Sequence, residues 1–128
     1  MRTLQPPGWP RPRGYANGVV AEGRLLFVAG MIGWDPTGAF VAPDLAGQVR
    51  QALANVVAVL AEAGAGPSQV ARLTWYVTSR AEYLAQQAEI GEAYRDVMGR
   101  HFPAMAVVEV SGLVEAQAKV EIEATAVL

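Results

Sequence analysis

Residues 102–110 read Phe-Pro-Ala-Met-Ala-Val-Val-Glu-Val, FPAMAVVEV. A proline followed by alternating side chains predicts a strand over Ala104–Val110. Met105, Val107 and Glu109 fall on one side of it, and Ala104, Ala106, Val108 and Val110 on the other. The second side is small and apolar. The first carries a flexible thioether and a carboxylate. This mixed face is expected to lie away from the helices and to line a cleft between subunits.

Upstream of this strand, Ser79-Arg80-Ala81-Glu82 is a capping box that starts a helix. Tyr83, Ile90, Tyr94 and Val97 form its buried side, and Gly99 ends it. The lone histidine, His101, just past the last turn, reads as structural, because nothing pairs it with a nucleophile. Before that helix, Val70–Thr78 alternates and is rich in Thr, Trp, Tyr and Val, which predicts a strand. Downstream, Ser111–Gln117 reads as a loop and Ala118–Leu128 as the last strand. Val120, Ile122, Ala124 and Ala126 face one way along it; Lys119, Glu121, Glu123 and Thr125 face the other.

The strongest helix is Asp44–Ala63, with Leu45, Val49, Leu53, Val56 and Leu60 at helical spacing and Asp44 as its cap. Tyr15–Val20 and Leu25–Met31 read as two strands of a hairpin turning at Ala21–Arg24. Because LLFVAGM is almost wholly apolar, that second strand is expected to be central and buried on both faces. Gly30 and Gly33 mark places where a backbone or ligand approaches closely. Asp35-Pro36-Thr37-Gly38 is a turn, and Trp34 before it a packed loop anchor. Residues 1–14 contain Pro6, Pro7, Pro10 and Pro12, so they are expected to form an extended arm without regular structure. Residues 15–128 are expected to form a single domain.

The order is therefore β-β-α-β-α-β-β, an α+β chain with both helices on one face of one sheet. The other face is too apolar for a free surface and too charged for a core. Self-association that buries it, with pockets at the seams, satisfies both properties.

Composition narrows the function classes. Hydrophobic residues make up 52% of the chain and charged residues 17%, as in a globular protein. The formal net charge is −2, without a basic block, so no nucleic-acid partner is expected. No cysteine is present, which removes thiolate nucleophiles and cysteine-based zinc sites. With one histidine as well, no metal is expected. No apolar run approaches the roughly 18–20 residues of a membrane span, so no membrane partner is expected. Without an apolar stretch behind Arg2, a secretory signal is not expected either, and the expected location is cytoplasmic.

These residues resemble the RidA superfamily, also known as the YjgF or translation-inhibitor superfamily. The resemblance runs from about Tyr15 to Val127. It is carried by Gly14-Tyr15 with Gly18, Val28-Ala29-Gly30, the Asp35–Gly38 turn and the helical segment Gln48-Val49-Arg50-Gln51-Ala52-Leu53 with Asn55-Val56. Phe102-Pro103-Ala104, Val108-Glu109-Val110 and Val120-Glu121-Ile122-Glu123-Ala124 complete it. The resemblance implies a chorismate-mutase-like fold, a barrel-like homotrimer and small-molecule clefts between neighbours. It also implies hydrolysis of reactive enamines and imines to ketoacids and ammonia, with no cofactor.

In that family an arginine directly after Pro-Ala holds the substrate carboxylate. Here Met105 occupies that position, which marks a divergent subfamily. Tyr15 matches the family's cleft tyrosine, Glu121 its final-strand glutamate, and Val107 a position that is often cysteine. The resemblance thus implies Glu121 as the base that positions water. Tyr15, Met105 and Val107 are implied as substrate contacts, with Glu109 or Glu123 as a further polar contact. Arg13 is a candidate to replace the missing guanidinium. The alternative is a metabolite-binding or regulatory trimer without catalysis. RNA cleavage ranks last, because the chain is acidic and has one histidine.

Overall fold

A computed structural model describes residues 1–128. Strands β1 (Arg2–Leu4), β2 (Gly18–Val20) and β3 (Leu25–Met31) precede helix α1 (Leu45–Glu62). Strand β4 (Val70–Val77), helices α2 (Arg80–Ala85) and α3 (Gln87–Met98), and strands β5 (Ala104–Glu109) and β6 (Val120–Val127) follow. The main sheet has the order β3-β6-β4-β5, with β4 and β5 parallel and the other neighbours antiparallel.

Period-two alternation decides which way this sheet faces. Val120, Ile122, Ala124 and Ala126 of β6, together with Leu73, Trp75 and Val77 of β4, are buried under the helices. Leu45, Val49, Leu53, Val56 and Leu60 of α1 and Ile90, Tyr94 and Met98 of α3 meet them in one core. Each such side chain contributes about 1.5–3 kcal/mol through burial. Asp44 caps α1 by accepting from Gly47 N, and Ser79 caps α2 by accepting from Glu82 N. α1 and α3 thus cover one face of the main sheet, as the sequence pattern predicts.

Gln48 is the polar exception in this core, 2% exposed. Its Nε2 donates to Ala42 O and Gln117 O, and its Oε1 accepts from Lys119 N. One α1 side chain therefore fastens both loops at that end of the sheet.

Several expectations are corrected. β2 does not form a hairpin with β3; it pairs with β1, Arg2 opposite Val20, in a two-stranded sheet of its own, so the chain has two sheets rather than the expected one. The proline-rich arm therefore begins with a short strand, because its prolines start only at Pro6 and leave the donors of Arg2–Leu4 free to pair. β3 is an edge strand, paired only with β6. Its Leu25 and Phe27 are 60% and 72% exposed, because only the opposite face is covered by helices. The second helix is divided at Gln86, whose Oε1 accepts from Ala46 N at the start of α1.

The largest correction concerns Met105. Parallel pairing sets Met105 beside Leu73, Val107 beside Trp75 and Glu109 beside Val77. Those β4 residues are buried on the helix side. The face of β5 bearing Met105 and Val107 therefore lies toward the helices, not away from them. The open face holds Tyr76, Glu121 and Glu123 instead, with Tyr76 Oη donating to Glu123 Oε1 at 2.8 Å.

Candidate functional site

A cavity of about 610 Å³ lies between α3, the β4–β5 pair and the chain leading into β2. Its position follows from backbone pairing. Ala16 forms a parallel bridge with Ala104, and Ala16 N donates to Pro103 O at 2.9 Å. That bond holds Arg13, Gly14 and Tyr15 beside the start of β5, where Met105 and Val107 complete the wall.

The apolar side of the cavity is an aromatic stack. Tyr94 lies between Trp75 and Phe102, with ring centroids 6.4 Å and 5.4 Å away and interplanar angles of 26° and 14°. Tyr94 Oη donates to His101 O, and burial raises the phenol's pKa, so it is neutral at physiological pH. Burial also raises the pKa of Tyr83 at the same cavity. Trp75 Nε1 is the one buried side-chain donor without an acceptor.

The polar side is cationic. Arg13 and Arg95 line the cavity and no carboxylate does. Neither guanidinium forms an ion pair; the two salt bridges of the chain are Arg50–Asp96 and Lys119–Glu82. Arg95 folds back along α3 over Gly91, where a Cβ would meet its Nη1 at 3.2 Å.

The structure brings together Arg13, Tyr15, Met105 and Val107. Glu109 is elsewhere: its Oε1 accepts from Arg80 N at 2.7 Å, at the N-terminus of α2. Glu121 and Glu123 lie on the open sheet face. Gly30, flagged for close approach, accommodates the carboxylate of Glu121, which would lie 2.6 Å from a Cβ there. His101 Nε2 hydrogen-bonds Val70 O at 2.6 Å, a structural contact. No three His, Cys, Asp or Glu side chains converge. No helix is long and apolar enough to cross a membrane.

The sequence pattern of the family described as endoribonuclease L-PSP matches residues 10–128. The chain belongs to this family, whose members include the Rid proteins. A RutC family protein of Pyrococcus horikoshii is 36% identical over 91% of this chain and 90% of its own length. A protein of Salmonella typhimurium named 2-iminobutanoate/2-iminopropanoate deaminase is 34% identical over 88% of this chain and 86% of its own. The crystal structure of the Rid protein YyfB from Yersinia pestis superposes with a TM-score of 0.89 at 34% identity, covering 99% of this chain and 98% of that one. The Rid family thus accounts for the small α+β fold with its mixed sheet.

The sequence pattern puts Trp75 on a strand, Tyr94 on the second helix and Phe102 at the entry to the strand over Ala104–Val110, but does not bring them into one wall. It also missed Arg95. A usable signal was present: a glycine inside a helical pattern, four residues before an arginine, leaves a groove on the face that arginine covers.

Proposed function

We propose that this Rid protein is a homotrimer that hydrolyses reactive 2-imino and enamine carboxylates to ketoacids and ammonia in clefts at its subunit boundaries. The observation that carries this reading is the cavity uniting Tyr15, Met105 and Val107 in a chain related to a named iminobutanoate deaminase. The exposed Leu25, Phe27 and Val108 on the open face support self-association.

Water adds to the imine carbon, and the resulting carbinolamine expels its nitrogen as ammonia, leaving a carbonyl. Glu121 takes the proton from water and returns it to the departing nitrogen. Such a base contributes on the order of 10²–10⁴ in rate. Within one subunit Glu121 and Met105 are on opposite faces of the sheet. In this reading, therefore, the open face of one subunit closes on the cavity of the next. Tyr15 donates a hydrogen bond from its hydroxyl to the substrate.

Stopped assays with freshly generated 2-aminoacrylate and a panel of larger enamines test the reaction, and light scattering tests the trimer. Acceleration above buffer, lost by a hundredfold or more in Glu121→Gln, is expected. No acceleration with any substrate would favour the second reading, a trimer that binds metabolites without turning them over. That reading draws on Met105, which cannot pair with a carboxylate as an arginine does.

A further inference from the structure

We infer that Arg95, with Arg13, holds the carboxylate of a ligand whose flat apolar side chain lies along the aromatic wall of the cavity. This deepens the reading above and rests on its assignment of the cavity as the substrate site.

The charge inventory comes first. Two guanidinium groups line the cavity, no acidic side chain does, and neither guanidinium is held by an ion pair elsewhere. A guanidinium presents a planar fork of donors that matches a carboxylate. Within one subunit, a cavity whose only charged lining groups are two unpaired guanidiniums favours anions.

Helix chemistry points the same way. Gly91 sits inside α3, where glycine is a poor helix former. Its missing side chain lets the Arg95 guanidinium lie close along the helix; a Cβ there would be 3.2 Å from Nη1 and would push it outward by a few tenths of an ångström. A break in local propensity with an evident gain in placement is the pattern of a binding site.

Size and lining then set the rest of the ligand. About 610 Å³ falls within the roughly 300–1,000 Å³ of pockets that take drug-sized molecules. A three- or four-carbon acid leaves most of that space empty. Half-buried Tyr83, Phe102, Met105 and Val107 offer apolar surface to a ring, with buried Trp75 and Tyr94 stacked behind Phe102. The substrate class is thus a 2-imino or enamine carboxylate bearing an aromatic or comparably large apolar side chain.

Calorimetry on the full chain tests this with stable stand-ins. Phenylpyruvate and pyruvate represent the large and small ketoacid products, and phenylacetone represents the large one without its carboxylate. Phenylpyruvate is expected to bind at least tenfold more tightly than pyruvate. Arg95→Met is expected to weaken phenylpyruvate at least fivefold and to leave phenylacetone unchanged. Arg13→Met is expected to act in the same direction, and Arg95→Lys to recover part of the loss. Arg95 is exposed, so these variants should fold, and their urea midpoints verify it. A smaller loss in Arg95→Met, or equal binding of pyruvate and phenylpyruvate, would overturn the inference. Imine hydrolysis indifferent to both arginines would also overturn it while leaving the proposed reaction standing. The expected binding pattern without any turnover would support the ligand class and remove the reaction.

Discussion

Replacing Gln48 with methionine isolates the part of the fold that the apolar pattern does not explain. Methionine has nearly the same shape, so little packing is lost. What disappears is one amide making three hydrogen bonds, at 3.2 Å, 3.1 Å and 2.8 Å, from a side chain 2% exposed. Each bond contributes about 1 kcal/mol net, and a donor or acceptor left buried without a partner costs about 1–3 kcal/mol. The carbonyls of Ala42 and Gln117 can recover some solvent by loop movement. The N–H of Lys119, next to buried Ala118 and Val120, cannot do so easily. The better burial of a thioether offsets part of the loss. The expected destabilisation is therefore about 2–4 kcal/mol. Unfolding entropy of about 2.1 cal/mol/K per residue gives about 0.27 kcal/mol/K for 128 residues. The Tm should fall by roughly 7–15 °C. Urea denaturation at constant slope m measures the same quantity. A loss below about 1 kcal/mol would refute the argument, because the three partners would then be satisfied without Gln48. Ligand binding by the folded fraction should not change, since Gln48 does not line the cationic cavity.

Gly91→Ala should separate stability from binding. Alanine raises helix stability by about 0.5–1 kcal/mol, while its Cβ crowds Arg95 Nη1 and weakens phenylpyruvate binding; unchanged binding would show that Gly91 does not seat the guanidinium. Phe27→Lys, on a side chain 72% exposed on the open face, should leave the subunit folded but reduce the mass seen in light scattering to that of a monomer. Asp35→Asn tests the 35–38 turn by pH. The side-chain hydrogen bond from Thr37, and then the backbone bond from Ala39, hold the Asp35 carboxyl below its ordinary value of 3.8. A depressed folded-state pKa contributes stability that is present above the unfolded pKa and is lost as pH falls through the folded one. The stability difference between wild type and variant should thus be level above about pH 5 and shrink in more acidic solution; a difference independent of pH would remove the turn's carboxylate as its source.

What the sequence made legible follows the physics of each element. Periodicity within a segment is local, so α1, β4 and β6 can be read directly, together with the inward residues of α1 and β6; which set of β4 alternates faces inward stays open. Asp44 and Ser79 could be read as caps because capping also acts within one turn. Pairing was harder, because it depends on partners distant in sequence. Adjacency in sequence predicts β2 beside β3, whereas the short arm strand β1 is its partner. The apolar run of β3 was read as burial on both faces, but half of that surface is uncovered within one chain. The residue parity of β5 was correct and its facing was not. Parity states which residues share a side; only the register with β4 states which side meets the helices. The cavity was partly legible through Tyr15 and Met105. Arg95 and the Trp75–Tyr94–Phe102 stack were not, because they converge from three segments.

That facing also bears on what Met105 does. A side chain on the helix side of β5, partly buried against the core, sits where an ion would be costly unless paired. An arginine there would be fixed near Arg13 and Arg95 with no carboxylate on the cavity wall to offset it. Methionine removes that repulsion and lengthens the apolar wall. In the proposed site the anion contact lies on α3 and the arm, where both guanidinium groups are exposed and cost less to keep charged. The space between that contact and β5 is then free for a side chain rather than for the reacting carboxylate alone. In the proposed site Met105, Gly91 and the half-buried apolar lining thus act together: they leave room for a large ligand side chain between the two guanidinium groups and β5.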